Sequence, residues 1–130
     1  MIYDINERRF TCFGVSNIPE FHAVLRDHPV GNYIVENYRV RLATSKYSGH
    51  QHKWDTVVPV RVIGAIQYAA YLTGAEITLQ EPNDKPLGYT LLGQTYVKGK
   101  KDVHHLDAAA HVAVWLHRKG EWSDGKIGFG

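Results

Sequence analysis

The chain is 130 residues long, a single-domain length, and its 44% hydrophobic and 22% charged residues are those of a folded protein rather than a disordered one. One cysteine, Cys12, excludes an internal disulfide. Neither a signal-peptide pattern nor an apolar run of membrane-spanning length occurs, so the expectation is a cytoplasmic protein with no membrane partner. The net charge of +2 is too small to identify a polyanionic partner by itself, which makes its distribution the more useful quantity.

Residues 1–16 read as a hairpin: an apolar start at Met1-Ile2-Tyr3, a polar turn from Asp4 to Arg8, and alternation from Arg9 to Val15. Asn17, with Glu20 three residues later and Pro19 near the first turn, predicts a helix to about Asp27 with Phe21, Val24 and Leu25 on its buried face. His28-Pro29 ends it, because a residue before proline avoids the helical region. Residues 32–38, rich in β-branched and aromatic side chains, predict a buried central strand. Glu36 is out of character there, since a carboxylate in a buried strand is unfavourable unless a cation or a hydrogen-bond network meets it. An ion pair with Arg39 or Arg41 is one way to meet it.

Residues 43–56 form a polar loop in which Tyr47 and Trp54 interleave with basic residues. From Arg39 to Arg61 there are five Lys/Arg (Arg39, Arg41, Lys46, Lys53, Arg61) and one acid, Asp55. Lys98, Lys100 and Lys101 make a second basic cluster, and two clusters of one sign suit a polyanion such as nucleic acid. Pro59 predicts the start of a helix through Thr73, stopped by Gly74. Ala75 to Gln80 predicts a buried strand, and Lys85 to Leu92 a short helix. The tail 120–130 has no periodicity and is expected to be irregular.

The stretch from Lys101 to His117 is free of glycine and proline and rich in alanine, which predicts a helix. His104, Asp107 and His111 stand at i, i+3 and i+7, on one helical face. Leu106, Ala109, Ala110, Ala113 and Leu116 supply an apolar stripe that could dock on a sheet. The element order is that of an α/β domain on a mixed sheet flanked by helices.

Four segments, in order across residues 33–117, allow a sharper reading. Residues 34–41, with Glu36, Asn37, Tyr38, Arg39 and Arg41, resemble the "(V/I)xE(N/D)(Y/F)R(I/L)R" strand of phage and bacterial RuvC-like Holliday-junction resolvases. Residues 59–66 resemble that family's following helix, residues 80–85 its "QxPSDK" segment, and His104-His105-Leu106-Asp107-Ala108 its "HxxDA" start of the last helix. The resemblance implies a single RNase H-like nuclease domain over residues 1–130. It also implies a homodimer acting on branched DNA with magnesium, for which manganese would substitute, in a phage-infected host cytoplasm. By the same resemblance Glu36 and Asp107 are metal-binding carboxylates, and His104 is a metal ligand or proton carrier. Arg39, Arg41, Lys53, Arg61 and Lys85 are the expected DNA contacts. Hard divalent cations take oxygen ligands, and two of them can clamp the attacking and leaving oxygens of an in-line phosphoryl displacement.

The family's first strand, which ends in an essential Asp, has no counterpart here, because Met1 to Asp4 aligns better with the second strand. In the RNase H-like arrangement that strand lies between residues 1–5 and 32–38. The expectation is that a separate N-terminal strand or fragment completes the sheet and that this chain alone has little or no nuclease activity. The other option is direct pairing of residues 1–5 with 32–38, with Asp4 near Glu36 in place of the absent carboxylate. The alternative function is a catalytically inactive junction-binding module. A third reading, a zinc site built from His50, His52, His104 and His105, needs ligand pairs that the spacing does not offer.

Overall fold

A computed structural model describes residues 1–12, 14–37, 54–122 and 128–129, with backbone alone at 54–57 and 128–129. Among these residues the chain is mixed α/β, with two small sheets and four helices. It divides into two compact units. The first holds Met1–Gly14, Ile34–Glu36 and Leu79–Gly130, and the second holds Val15–Tyr33 and Asn37–Thr78. Among the described residues no helix is long and apolar enough to cross a membrane.

In the first unit β1 (Ile2–Asp4) pairs antiparallel with β2 (Arg9–Thr11), Tyr3 opposite Phe10 and Asp4 opposite Arg9. Asp4 closes the turn with its own side chain: Oδ1 accepts the backbone N–H of Asn6 at 2.8 Å and of Glu7 at 2.9 Å. Such side-chain-to-backbone bonds are why Asp favours turns. Phe10 is fully buried, with the Tyr3 ring tilted against it at 4.7 Å. Within the tail expected to be irregular, β5 (Gly128–Phe129) adds a parallel partner on the other side of β2.

The second unit is built on two helices. Helix α1 (Ile18–Asp27) starts as the sequence predicts: Asn17 accepts the Glu20 N–H at 2.9 Å, and Glu20 reaches back to the Ser16 N–H at 2.7 Å. It packs on α2 (Trp54–Thr73). That helix begins five residues before the predicted start, so Pro59 lies inside it. A proline there removes one backbone hydrogen bond, a local penalty that a twenty-residue helix can absorb. At its other end Gly74, at φ +71°, turns the chain so that the Ala75 N–H bonds Ala70 O.

The strand predicted to be buried and central is neither. β3 (Asn32–Glu36) is half-buried along its whole length and pairs with β4 (Glu76–Gln80) in a two-stranded sheet. Both strands pass from the second unit into the first, where each ends. Among the described residues β3 has one neighbouring strand, and its apolar composition does not translate into full burial.

A 3-10 turn (Pro82–Asp84) leads into α3 (Lys85–Leu91), which packs along α4 (His104–Arg118). Helix α4 starts three residues later than predicted because Asp102 takes a left-handed backbone, φ +63°, which a helix cannot contain. Of the predicted apolar stripe, Ala109, Ala110, Ala113 and Leu116 are buried and Leu106 is half-buried, while Val114, outside the prediction, is buried as well. Gly88 is the contact point of the two helices, since a Cβ there would stand 2.6 Å from Ala110 Cβ.

Asp84 ties the turn to α4 through Arg118, with contacts of 2.6 and 3.3 Å to its two oxygens. The Arg118 hydrogen bond holds the Asp84 carboxyl below the usual carboxylate range, against the opposing effect of burial. A depressed folded-state value means stability that is present above about pH 4 and lost as pH falls through the folded value. Asp84→Asn is therefore expected to melt below the wild type at pH 7, with the gap closing as pH is lowered from 7 to well below about 4. An equal gap at both ends of that range in thermal unfolding would show that the pair contributes by packing alone.

Candidate active site

Six side chains of the first unit meet around two carboxylates. Glu36 is the last residue of β3, Gln80 the last of β4; Lys85 opens α3 with Tyr89 one turn on, and Asp107 and His111 lie one turn apart on α4. The strand ends and the two helices bring together residues up to 75 positions apart in sequence.

Lys85 stands between the acids. Its Nζ is 3.2 Å from Glu36 Oε2 and 3.6 Å from Asp107 Oδ2, and only 17% of its side chain is exposed. Burial works against its charge, but the hydrogen bond to Glu36 and the two negative charges outweigh it and hold its pKa above the ordinary lysine value. A raised value means that the lysine charge stabilises the fold throughout the neutral range, a contribution lost as pH rises through the folded value, above about 10.4.

Each carboxylate also has a second hydrogen-bond partner. The Tyr89 hydroxyl donates to Asp107 Oδ1 at 2.7 Å. Burial first, and then this bond and the Asp107 charge, push its ionisation well above the usual tyrosine value, so it remains a donor. Tyr96 lies edge-on to the Tyr89 ring at 5.2 Å and limits its swing. On the Glu36 side, His111 Nε2 is 2.9 Å from Oε2, and His111 Nδ1 is 2.7 Å from Gln80 Oε1. Both His111 and Gln80 are buried, and each answers the other's need for a partner.

Of the residues expected from the sequence, Glu36 and Asp107 converge here, and Lys85, expected as a DNA contact, lies between them. His104 is the exposed first residue of α4, one turn before Asp107. The described contacts to the carboxylates come from Lys85, Tyr89 and His111 instead. Asp4 has Oδ1 engaged in the hairpin turn. Arg61 is exposed on α2 in the second unit, while Arg39, Arg41, Lys53, His50 and His52 lie outside the described residues.

The sequence placed His111 on the face it shares with Asp107 without giving it a role in the site, and it gave none to Gln80 or Tyr89. His111 announced itself as a polar residue inside the alanine stripe, on the same face as Asp107. Gln80 showed only as a polar end to an apolar strand. Tyr89 had no signal, since nothing in its neighbourhood distinguishes it from a core tyrosine.

Among the described residues no group of three or more His, Cys, Asp or Glu is arranged to hold a metal ion. Two carboxylates facing one positive charge is nevertheless a donor set for a hard cation. Magnesium is commonly bound by one or two carboxylates plus water and substrate phosphates rather than by an all-protein cage. The Lys85 ammonium marks the point on which the two acids converge. Compared with known proteins, the chain matches no family model, no curated protein and no solved structure.

Proposed function

We propose that the chain is a magnesium-dependent, structure-selective endodeoxyribonuclease of the RuvC-like type, acting as a homodimer on Holliday junctions or other branched DNA. The observation that carries this reading is the convergence of Glu36 and Asp107 on one cation, Lys85 Nζ, from a strand end and a helix far apart in sequence. The two carboxylates named from the resemblance are thus neighbours.

The sheet orders support the RNase H-like fold. β1 and β3 each stand at the end of their sheet, one beside β2 and the other beside β4. An RNase H-like sheet lacking its central strand would likewise leave these two strands at sheet edges, and a strand ending in Asp would supply a third carboxylate.

When bound, magnesium supplies positive charge for the phosphate in the transition state. Glu36 and Asp107 would hold it, and Lys85 would supply a second positive charge beside them. Tyr89 and His111 keep the carboxylates in place, and His104, exposed at the start of α4, is available to carry a proton. The basic residues Arg61, Lys98, Lys100 and Lys101 are exposed, as phosphate contacts must be.

The test is a labelled four-way junction incubated with the protein. Paired nicks are expected with Mg²⁺ or Mn²⁺ and none with chelator, while linear duplex stays intact. A second reading, a junction-binding module without nuclease activity, is favoured by the engagement of Asp4 in the hairpin turn. It predicts metal-independent, salt-sensitive binding to the same junction and no nicks. Failure to bind branched DNA at all overturns both.

A further inference from the structure

Gln80 and His111 are 3% exposed each, an unusual depth for an amide and an imidazole. They sit on different elements, β4 and α4, and their side chains form an unbroken chain ending at Glu36. An ionised carboxylate only accepts hydrogen bonds, so His111 Nε2 carries the hydrogen on that side. On the other side Gln80 can act either way. With Oε1 facing Nδ1 it accepts from an imidazolium; with the amide turned over it donates to a neutral ring. In both arrangements Nε2–H donates to Glu36, and the amide locks the ring in the rotamer that does so.

From this geometry we propose that His111 and Gln80 are positioning residues for the cation site, a role resting on the nuclease reading above. Glu36 ends a half-buried two-stranded sheet, so little in the backbone fixes its side chain. The His111 and Lys85 contacts both fall on Oε2. Oε1 is therefore the oxygen a divalent cation can take without breaking the His111 bond. With a cation held there, the His111–Gln80 pair would be what keeps Glu36 aimed. Partners that orient a ligand from behind typically change metal affinity by roughly 10- to 100-fold when removed.

Glutamine and asparagine at position 111 separate this role from simple packing. The Gln amide nitrogen falls where Nε2 was and can still donate to Glu36. The Asn amide nitrogen falls where Nδ1 was and meets only Gln80. Mn²⁺ binding to the full chain, followed by electron paramagnetic resonance, is expected to be nearly unchanged in His111→Gln. His111→Asn should weaken it by about tenfold or more. Gln80→Leu, which frees the ring but leaves its Nε2–H, should give an intermediate loss, and it serves as the second probe if a His111 variant does not fold. Thermal unfolding of the metal-free proteins is the control for folding. Equal Mn²⁺ affinities in the Gln and Asn variants, or an unaffected Gln80→Leu, overturn the positioning role and leave the nuclease reading standing. No Mn²⁺ binding by the wild type overturns the cation site itself, and the positioning role falls with it.

Discussion

Glu36→Gln and Asp107→Asn are each expected to reduce Mg²⁺-dependent junction cleavage about a thousandfold while leaving the fold intact. The size follows from the charge each substitution removes. A metal clamp on a phosphoryl group contributes several kcal/mol to the transition state, and each 1.36 kcal/mol is a factor of ten in rate, so losing one of two charged ligands gives a loss on the order of 10³. The fold should survive because each amide keeps an acceptor oxygen in place. Gln at 36 can still accept from His111, and Asn at 107 can still accept from the Tyr89 hydroxyl. Melting temperatures measured beside the rates separate a lost site from a lost fold. Mg²⁺ should raise the melting temperature of the wild type and not that of either variant, since a ligand stabilises only the state that binds it. Cleavage at wild-type rates in both variants would remove these residues from the chemistry, whatever the enzyme then proved to be.

The second large effect concerns the scaffold. Gly88→Ala is expected to destabilise the protein by about 2–3 kcal/mol, the range for forcing an extra carbon into a packed core. The added Cβ would meet the Ala110 carbonyl carbon at 2.6 Å as well as the Ala110 side chain. Backbone cannot rotate out of the way, so α3 and α4 would have to part. Ala110→Gly in the same chain should restore only part of the loss, because the carbonyl remains. Gly64→Ala on α2 is the opposite case: its Cβ would meet nothing within 4 Å, and the helix should gain up to about 1 kcal/mol. A Gly88→Ala protein that melts with the wild type would show that the helices do not approach this closely. Since α3 carries Lys85 and Tyr89 and α4 carries Asp107 and His111, parting the helices should also weaken Mn²⁺ binding. This links the core to the site through one glycine.

Local signals carried much of the architecture. Asn17 with Glu20 announced the start of α1, the glycine-free alanine run announced α4, and Gly74 announced the end of α2. These features depend on neighbours within about four residues, which is the range over which capping and helical periodicity act. Pro59 misled for the same reason: its preference for a first turn is local, and the helix that contains it is not decided locally. Asp102 was read as part of the last helix because nothing nearby required its left-handed backbone.

The site was legible as residue types and not as an arrangement. Helical spacing put His104, Asp107 and His111 on one face and could go no further, since all three positions are equivalent in a pattern of i, i+3 and i+7. Which histidine meets Glu36 depends on how α4 lies against α3, and that is set by the Gly88–Ala110 contact. Packing buried His111 against Glu36 and Gln80 and left His104 exposed. In the same way an isolated carboxylate in a strand showed that Glu36 needed a cation or a hydrogen-bond network, on grounds of desolvation alone. That Lys85, 49 residues on, is one such partner was a matter of tertiary structure. The chemical requirement is a property of the residue and can be read along the chain. Its fulfilment is a property of three-dimensional distance, which sequence separation does not encode.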